Sequence, residues 1–246
     1  MKTKKRILVA PLDWGIGHAT RCIPIIKELI NQNYDVIIAA DERPMHLLSN
    51  EFPKLEIIRF SGYNIKYPTY LPMSISILLQ IPKILWNIKK ENTLLNQIIK
   101  DYKIDGVVSD NRFGLYTKKV PCVFITHQLQ IQSHYFSNEI RELNYKYINR
   151  FNVCWVIDDK KNNLAGKLSK PENLPKNTIY IGNQSRFEYQ KIEKKYDFLA
   201  IVSGPEPQRT ILEKGLIKTL KDRNEKSLIV LGKPEFNNTK EIGNLT

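Results

Sequence analysis

Short apolar runs recur along the chain at 6–10, 35–40, 55–60, 105–110, 121–126, 153–158 and 178–181. Each is bounded by polar or turn-forming residues, the pattern of a strand buried on both faces of a parallel sheet. Between the first two runs, Ile23, Ile26, Leu29 and Ile30 repeat at three- and four-residue spacing and predict a helix. Further helices are expected at 44–52, at 74–102 with an interruption or kink near Pro82, and at 137–151. Strands alternating with helices imply right-handed crossovers and a parallel sheet, with ligands gathering at the strands' carboxyl ends.

A polar run at 183–196 carries no strand signal and reads as a linker. Beyond it the opening plan repeats: a strand at 197–202, a glycine loop, a helix through Ile211, Leu212, Leu216, Ile217 and Leu220, and a strand at 227–231. The expected class is α/β, with a Rossmann-type parallel-sheet domain over 1–182, a linker over 183–196 and part of a second Rossmann-type domain over 197–246. Two strands and one helix cannot bury a domain core, so 197–246 is expected to be completed by further chain or a partner surface.

Composition adds few exclusions. Hydrophobic content of 42% and charged content of 26% describe an ordinary globular chain. A net charge of +13 suits nucleic acid, an anionic membrane or a phosphorylated ligand. The lysines are spread along the whole chain, however, as on a solvated surface. No RNA-recognition motif, zinc-finger spacing or compact arginine cluster occurs, so nucleic acid is not expected as a partner. Cys22, Cys122 and Cys154 lack C-x-x-C spacing and read as buried thiols of a reducing compartment. The run before Pro11 is too short for a signal-peptide core, and no run has membrane-spanning length. The expected location is the cytoplasm, including its membrane face. Ile75, Ile77, Leu78, Leu79, Ile81, Ile84, Leu85 and Trp86, with Lys83, Lys89 and Lys90, could seat a helix on anionic lipid or simply cover the sheet.

Candidate chemistry begins in the loop Pro11-Leu12-Asp13-Trp14-Gly15-Ile16-Gly17-His18-Ala19-Thr20-Arg21. Gly15 and Gly17 permit a tight turn with exposed N–H groups, and the following helix start adds unpaired donors, which together suit an anion or a developing oxyanion. His18 sits where this loop enters the helix, as a proton acceptor beside the anion site or as a helix cap. Gly15-x-Gly17 is also half of a dinucleotide fingerprint, with Asp41 ending the next strand, but Thr20 stands where the third glycine belongs. An NAD-type oxidoreductase is therefore one alternative. Asp110 and His127 also fall at strand ends. Asp110 can act as a base, hold a sugar hydroxyl or cap a helix, with Arg112 nearby to keep it ionised. Asp158-Asp159 is an adjacent pair whose side chains would diverge on a strand, so no metal is assigned.

Gly15-Ile16-Gly17-His18-Ala19-Thr20-Arg21 followed by Pro24 resembles the first loop of GT-B glycosyltransferases, especially the branch of the peptidoglycan N-acetylglucosaminyltransferase and the plant galactolipid synthases. It is similar also to bacterial glycosyltransferase-like proteins carrying Gly-x-Gly-His-Ala-Thr-Arg. The resemblance implies two facing domains with a nucleotide-sugar donor, a UDP-sugar, between them. It implies His18 as base with Asp110 as the second candidate, and Gly15 and Gly17 in the binding loop. Ser203, Gly204, Gln208 and Arg209 would hold the donor phosphates, while Arg21, Arg112 and His127 would meet the acceptor. The reaction would invert the anomeric configuration and need neither metal nor cofactor, and the acceptor would be a glycan or a lipid. The family's base- and ribose-reading segment has no counterpart within 197–246, which leaves a non-catalytic nucleotide- or lipid-binding fragment as a second alternative.

Overall fold

The structure, a computed structural model, describes residues 4–62, 73–130, 137–162, 164–204, 206–236 and 238–246, with backbone only at 73–79 and 137. The Tyr- and Pro-rich stretch 63–72, the side chains of Ile75, Ile77, Leu78 and Leu79, and Pro205 lie outside the described residues.

In chain order the elements are β1 (Arg6–Pro11), α1 (Ile16–Asn31), β2 (Asp35–Ala40), α2 (Glu42–Glu51), β3 (Glu56–Arg59) and α3 (Met73–Asp101). They continue with β4 (Gly106–Asp110), β5 (Cys122–Thr126), α4 (Ser137–Ile148), β6 (Val153–Val156), β7 (Thr178–Tyr180), β8 (Phe198–Ile201), α5 (Gln208–Leu220) and β9 (Ser227–Val230). Every expected strand is present. Two expectations shift. The helix expected from Pro44 starts at Glu42, because the Asp41 carboxylate accepts the Glu42 N–H at 2.9 Å and caps it, and proline is tolerated in a first turn. No interruption occurs at Pro82; α3 continues through it as one helix. A proline removes one hydrogen bond, while Ile88, Leu95 and Ile98 bury the following turns.

Seven strands form one sheet in the order β3-β2-β1-β4-β5-β6-β7, and every neighbouring pair is parallel. Alternation along each strand feeds two cores. Leu8, Ala10, Ile37, Val107 and Phe124 pack with Leu95 and Ile98 of α3 and Ile148 of α4. Val9, Ile38, Val108 and Ile125 pack with Ala19, Cys22, Ile23 and Ile26 of α1 and Leu48 of α2. This double burial explains why the strands read as unbroken apolar runs.

The strand order reverses between β1 and β4, which places the carboxyl ends of those neighbours beside the first loop. Register sets Pro11 opposite Asp110, and Asp110 opposite Ile125.

β8 and β9 form a separate parallel pair. Ala200, Val202 and Ile229 pack there with Leu216, Ile217 and Leu220 of α5 and with Leu245. Leu199 and Ile201 stay exposed. The loops of this pair approach the start of α2, where Arg43 Nε donates to Glu235 Oε1 at 3.0 Å and its Nη2 to Glu206 Oε1 at 3.3 Å.

Candidate active site

Residues 18, 21 and 22 share one face of α1 because helical neighbours recur every three to four positions. That face meets the end of β4. Gly15, at φ 140°, occupies the cap position of α1 and makes no side-chain cap bond. His18 is therefore inside the helix and is not its cap. Its Nδ1 lies 3.2 Å from Asp110 Oδ2 and 2.7 Å from Arg21 Nη2.

Arg21 binds both oxygens of Asp110: Nε donates to Oδ2 at 2.7 Å, and Nη2 donates to Oδ1. Its Nη1 lies 2.6 Å from His127 Nδ1, just beyond β5. Three segments distant in sequence, bearing His18 with Arg21, Asp110 and His127, thus converge at the carboxyl ends of β1, β4 and β5.

Asp110 is fully buried. Burial alone would raise its pKa, but the adjacent Arg21 charge, followed by His18, outweighs burial and holds the carboxyl below its ordinary value. For Arg21, burial opposes the charge and Asp110 more than restores it. His127 is pushed down by burial and then by the Arg21 charge, so it stays neutral near pH 7. The Cys22 thiol, 3.8 Å from Asp110 Oδ2, is driven up by burial and then by that carboxylate, and remains protonated.

Arg112 is not part of this cluster. It is 0% exposed, and its Nε donates to Glu91 Oε1 at 2.8 Å. Its other nitrogens reach the carbonyls of Pro11, Phe60 and Ser61 at 3.3, 3.2 and 2.7 Å. It ties the ends of β1 and β3 to α3 and has no open face for an acceptor. Arg21, rather than Arg112, keeps Asp110 ionised. The exchange was invisible in the sequence because Arg112 is near Asp110 only along the chain, while register brings α1 to it in space.

Asp41 is likewise committed. Besides capping α2, it accepts from Arg59 Nε at 2.9 Å and from the Ser61 hydroxyl at 2.7 Å. Asp158, which sequence reasoning left without a role, is buried and collects the N–H groups of Asp159, Leu164 and Ala165 together with the Ser169 hydroxyl. It organises the turn after β6. The available signal was an acid at the end of an apolar run.

In the β8–α5 loop, Ser203, Gly204 and Gln208 are exposed at the strand end and helix start. Gly204 has φ 115°, a conformation that favours glycine. Arg209 differs from its neighbours. It is 2% exposed, donating to Glu206 at 2.6 Å, Glu213 at 2.7 Å and the Leu231 carbonyl at 3.1 Å. Its guanidinium braces the loop from within and is not presented to a phosphate. The Glu206 carboxyl, bonded to the Thr210 hydroxyl and then to Arg209, is lowered to about 2.

A seven-stranded parallel sheet in this order, followed by a second strand–loop–helix unit, is the fold of GT-B glycosyltransferases. The family described as Glycosyl transferase family 1 matches residues 5–182, and the chain belongs to it. Among solved structures, the glycosyltransferase SnogD from Streptomyces nogalater is 11% identical with a TM-score of 0.53, over 99% of this chain and 72% of that one. Phytolacca americana UGT2, complexed with UDP-2fluoro-glucose and pterostilbene, is 11% identical with a TM-score of 0.52, over 98% of this chain and 71% of that one. SsfS6 from Streptomyces sp. SF2575, complexed with thymidine diphosphate, is 14% identical with a TM-score of 0.51, over 92% of this chain and 67% of that one. This chain spans from 57% to 72% of the lengths of such structures. No curated protein sequence matches it.

Proposed function

We propose that this protein transfers a sugar from a nucleoside-diphosphate sugar, a UDP-sugar by preference, to an acceptor hydroxyl with inversion at the anomeric carbon. The observation that carries the proposal is the His18–Asp110 contact of 3.2 Å at the strand ends where open α/β sheets bind ligands. When Nδ1–H is donated to Asp110, Nε2 is free to take the acceptor's hydroxyl proton. The oxygen then attacks the anomeric carbon as the bond to the diphosphate breaks, and the diphosphate leaves with the electron pair.

The groups left to meet that developing charge are Ser203, Gly204, Gln208 and the first N–H groups of α5, with Gly15 and Gly17 as the other binding loop. In this reading N–H groups and the helix start stabilise the leaving diphosphate without a metal. His127, held 2.6 Å from Arg21 beyond β5, is the proposed acceptor contact. Nucleotide complexes of relatives with the same fold support the donor class.

The acceptor is a glycan or a lipid headgroup reached from the cytoplasmic side. Trp86 on α3 is 62% exposed with Lys90 Nζ 5.5 Å from its ring centre, an arrangement suited to an anionic membrane surface. Co-sedimentation with anionic vesicles at low salt checks that contact, and no binding refutes it.

Calorimetric titration with UDP, GDP and NAD tests the donor class. Binding of one nucleoside diphosphate without NAD supports transfer, whereas NAD binding alone would favour an oxidoreductase. With the donor bound, His18→Ala should lower sugar release or transfer by about a hundred- to ten-thousand-fold with the fold intact. Unchanged turnover removes His18 as the base, and tight nucleotide binding without turnover in any assay leaves a binding fragment.

A further inference from the structure

Arg21 makes two contacts that neither charge balance nor acceptor binding requires. Its Nη1 is 2.6 Å from His127 Nδ1, and its Nη2 is 2.7 Å from His18 Nδ1. A guanidinium carries only donors and does not lose its proton in a folded protein. At these distances each Nδ1 must therefore present its lone pair.

A neutral imidazole has one N–H, which then resides on Nε2 in both rings. The third contact of His18 Nδ1, to Asp110 Oδ2, is longer at 3.2 Å, and without a hydrogen on Nδ1 it joins two acceptors. Asp110 does not need that hydrogen. Both of its oxygens already accept from Arg21, and the Cys22 thiol adds a weak donor.

We propose that Arg21 is a positioning residue that locks His18 and His127 in the Nε2–H tautomer, so that His18 in the unliganded protein is a hydrogen-bond donor and not a base. The consequence for catalysis rests on the reading of His18 as the base; the lock itself does not. Activation requires the guanidinium to leave His18 Nδ1 while keeping Asp110. One proton then passes from Nε2 to water and another from water to Nδ1, with no net charge change, and the new Nδ1–H is donated to Asp110. An anionic group entering beside the start of α1 is the kind of ligand that draws a guanidinium, because a phosphate accepts the same fork of N–H groups. Base strength would then appear only after the donor diphosphate is in place, which protects the site from idle chemistry with water.

The test is nitrogen NMR of uniformly 15N-labelled protein above neutral pH, with His46→Gln and His134→Gln leaving two imidazoles to assign. In the wild-type arrangement both Nδ1 resonances should sit at the hydrogen-free position, both Nε2 at the protonated position, and a through-hydrogen-bond 15N–15N coupling should join Arg21 Nη to each Nδ1. Arg21→Lys keeps the charge beside Asp110 but cannot span both rings. It should move the His18 proton to Nδ1 and abolish both couplings.

A protonated His18 Nδ1 in the unmodified protein, absence of both couplings there, or an unmoved tautomer in a folded Arg21→Lys protein each overturns the lock. If the variant does not fold, the couplings in the unmodified protein decide alone. The spectra need neither donor nor acceptor, so a failed nucleotide titration would leave this result standing, and a failed lock would leave the titration standing.

Discussion

Arg21 and Arg209 each lie at the first helix of a strand–loop–helix unit, and each grips carboxylates, but burial runs in opposite directions in the two units. At Arg21 the carboxylate is sealed, with the Asp110 side chain 0% exposed, while the Arg21 side chain is 12% exposed and touches two histidines. At Arg209 the guanidinium is sealed, and its partners Glu206 and Glu213 reach water at 44% and 16%. The first arrangement leaves the Nδ1 atoms of His18 and His127 in contact with one cation at the strand ends. The second buries only the cation, leaves its carboxylates toward water and fixes the shape of a loop. Two stretches with the same local plan thus differ in chemistry according to which partner of the ion pair is buried.

Asp110→Ala should break this comparison most severely. It leaves Arg21 without its counter-ion in a low-dielectric site, and should cost about 3–5 kcal/mol of stability by urea unfolding near pH 7. A loss below about 1 kcal/mol would mean that Arg21 finds water instead. Because the folded pKa of Asp110 is depressed, its stabilisation is complete above the unfolded value near 3.9 and is lost as pH falls through the folded value. The gap between the two proteins should hold from neutral pH down to about 4 and close below it.

Arg209→Met should have a smaller effect, about 1–3 kcal/mol, because Glu206 and Glu213 can be rehydrated once the cation is gone. Its pairs also face solvent, so about 0.5 M salt should trim this loss while leaving the Asp110 gap in place. Equal salt sensitivity of the two variants would erase the distinction.

How far the sequence shows these features follows from what sets them. The seven strands were legible because a strand covered on both faces has no polar alternation to hide it, as at Val36-Ile37-Ile38-Ala39-Ala40. His18, Asp110 and His127 were legible as polar residues at strand ends. Their common partner was not. Arg21 reads as one more cation on a helix, and only the β1–β4 register brings its turn onto Asp110. Arg112 and Arg209 misled in the reverse sense, since adjacency to a candidate site does not reveal that a guanidinium is consumed by Glu91 or by Glu206 and Glu213. Helix starts also escaped where a capping acid sets them, as Asp41 does for α2.

The Arg112–Glu91 pair has a consequence on an evolutionary scale. With both side chains sealed, a change at either position alone strands a charge in the interior, and Gly114 is held in the same knot because a Cβ there would meet Glu91 Cβ at 2.5 Å and the Ile88 carbonyl at 2.5 Å. Lineages descended from a common ancestor with this knot should therefore keep positions 91, 112 and 114 or replace them as a set, and their substitutions should travel together through a family tree while the exposed lysines around them drift one at a time.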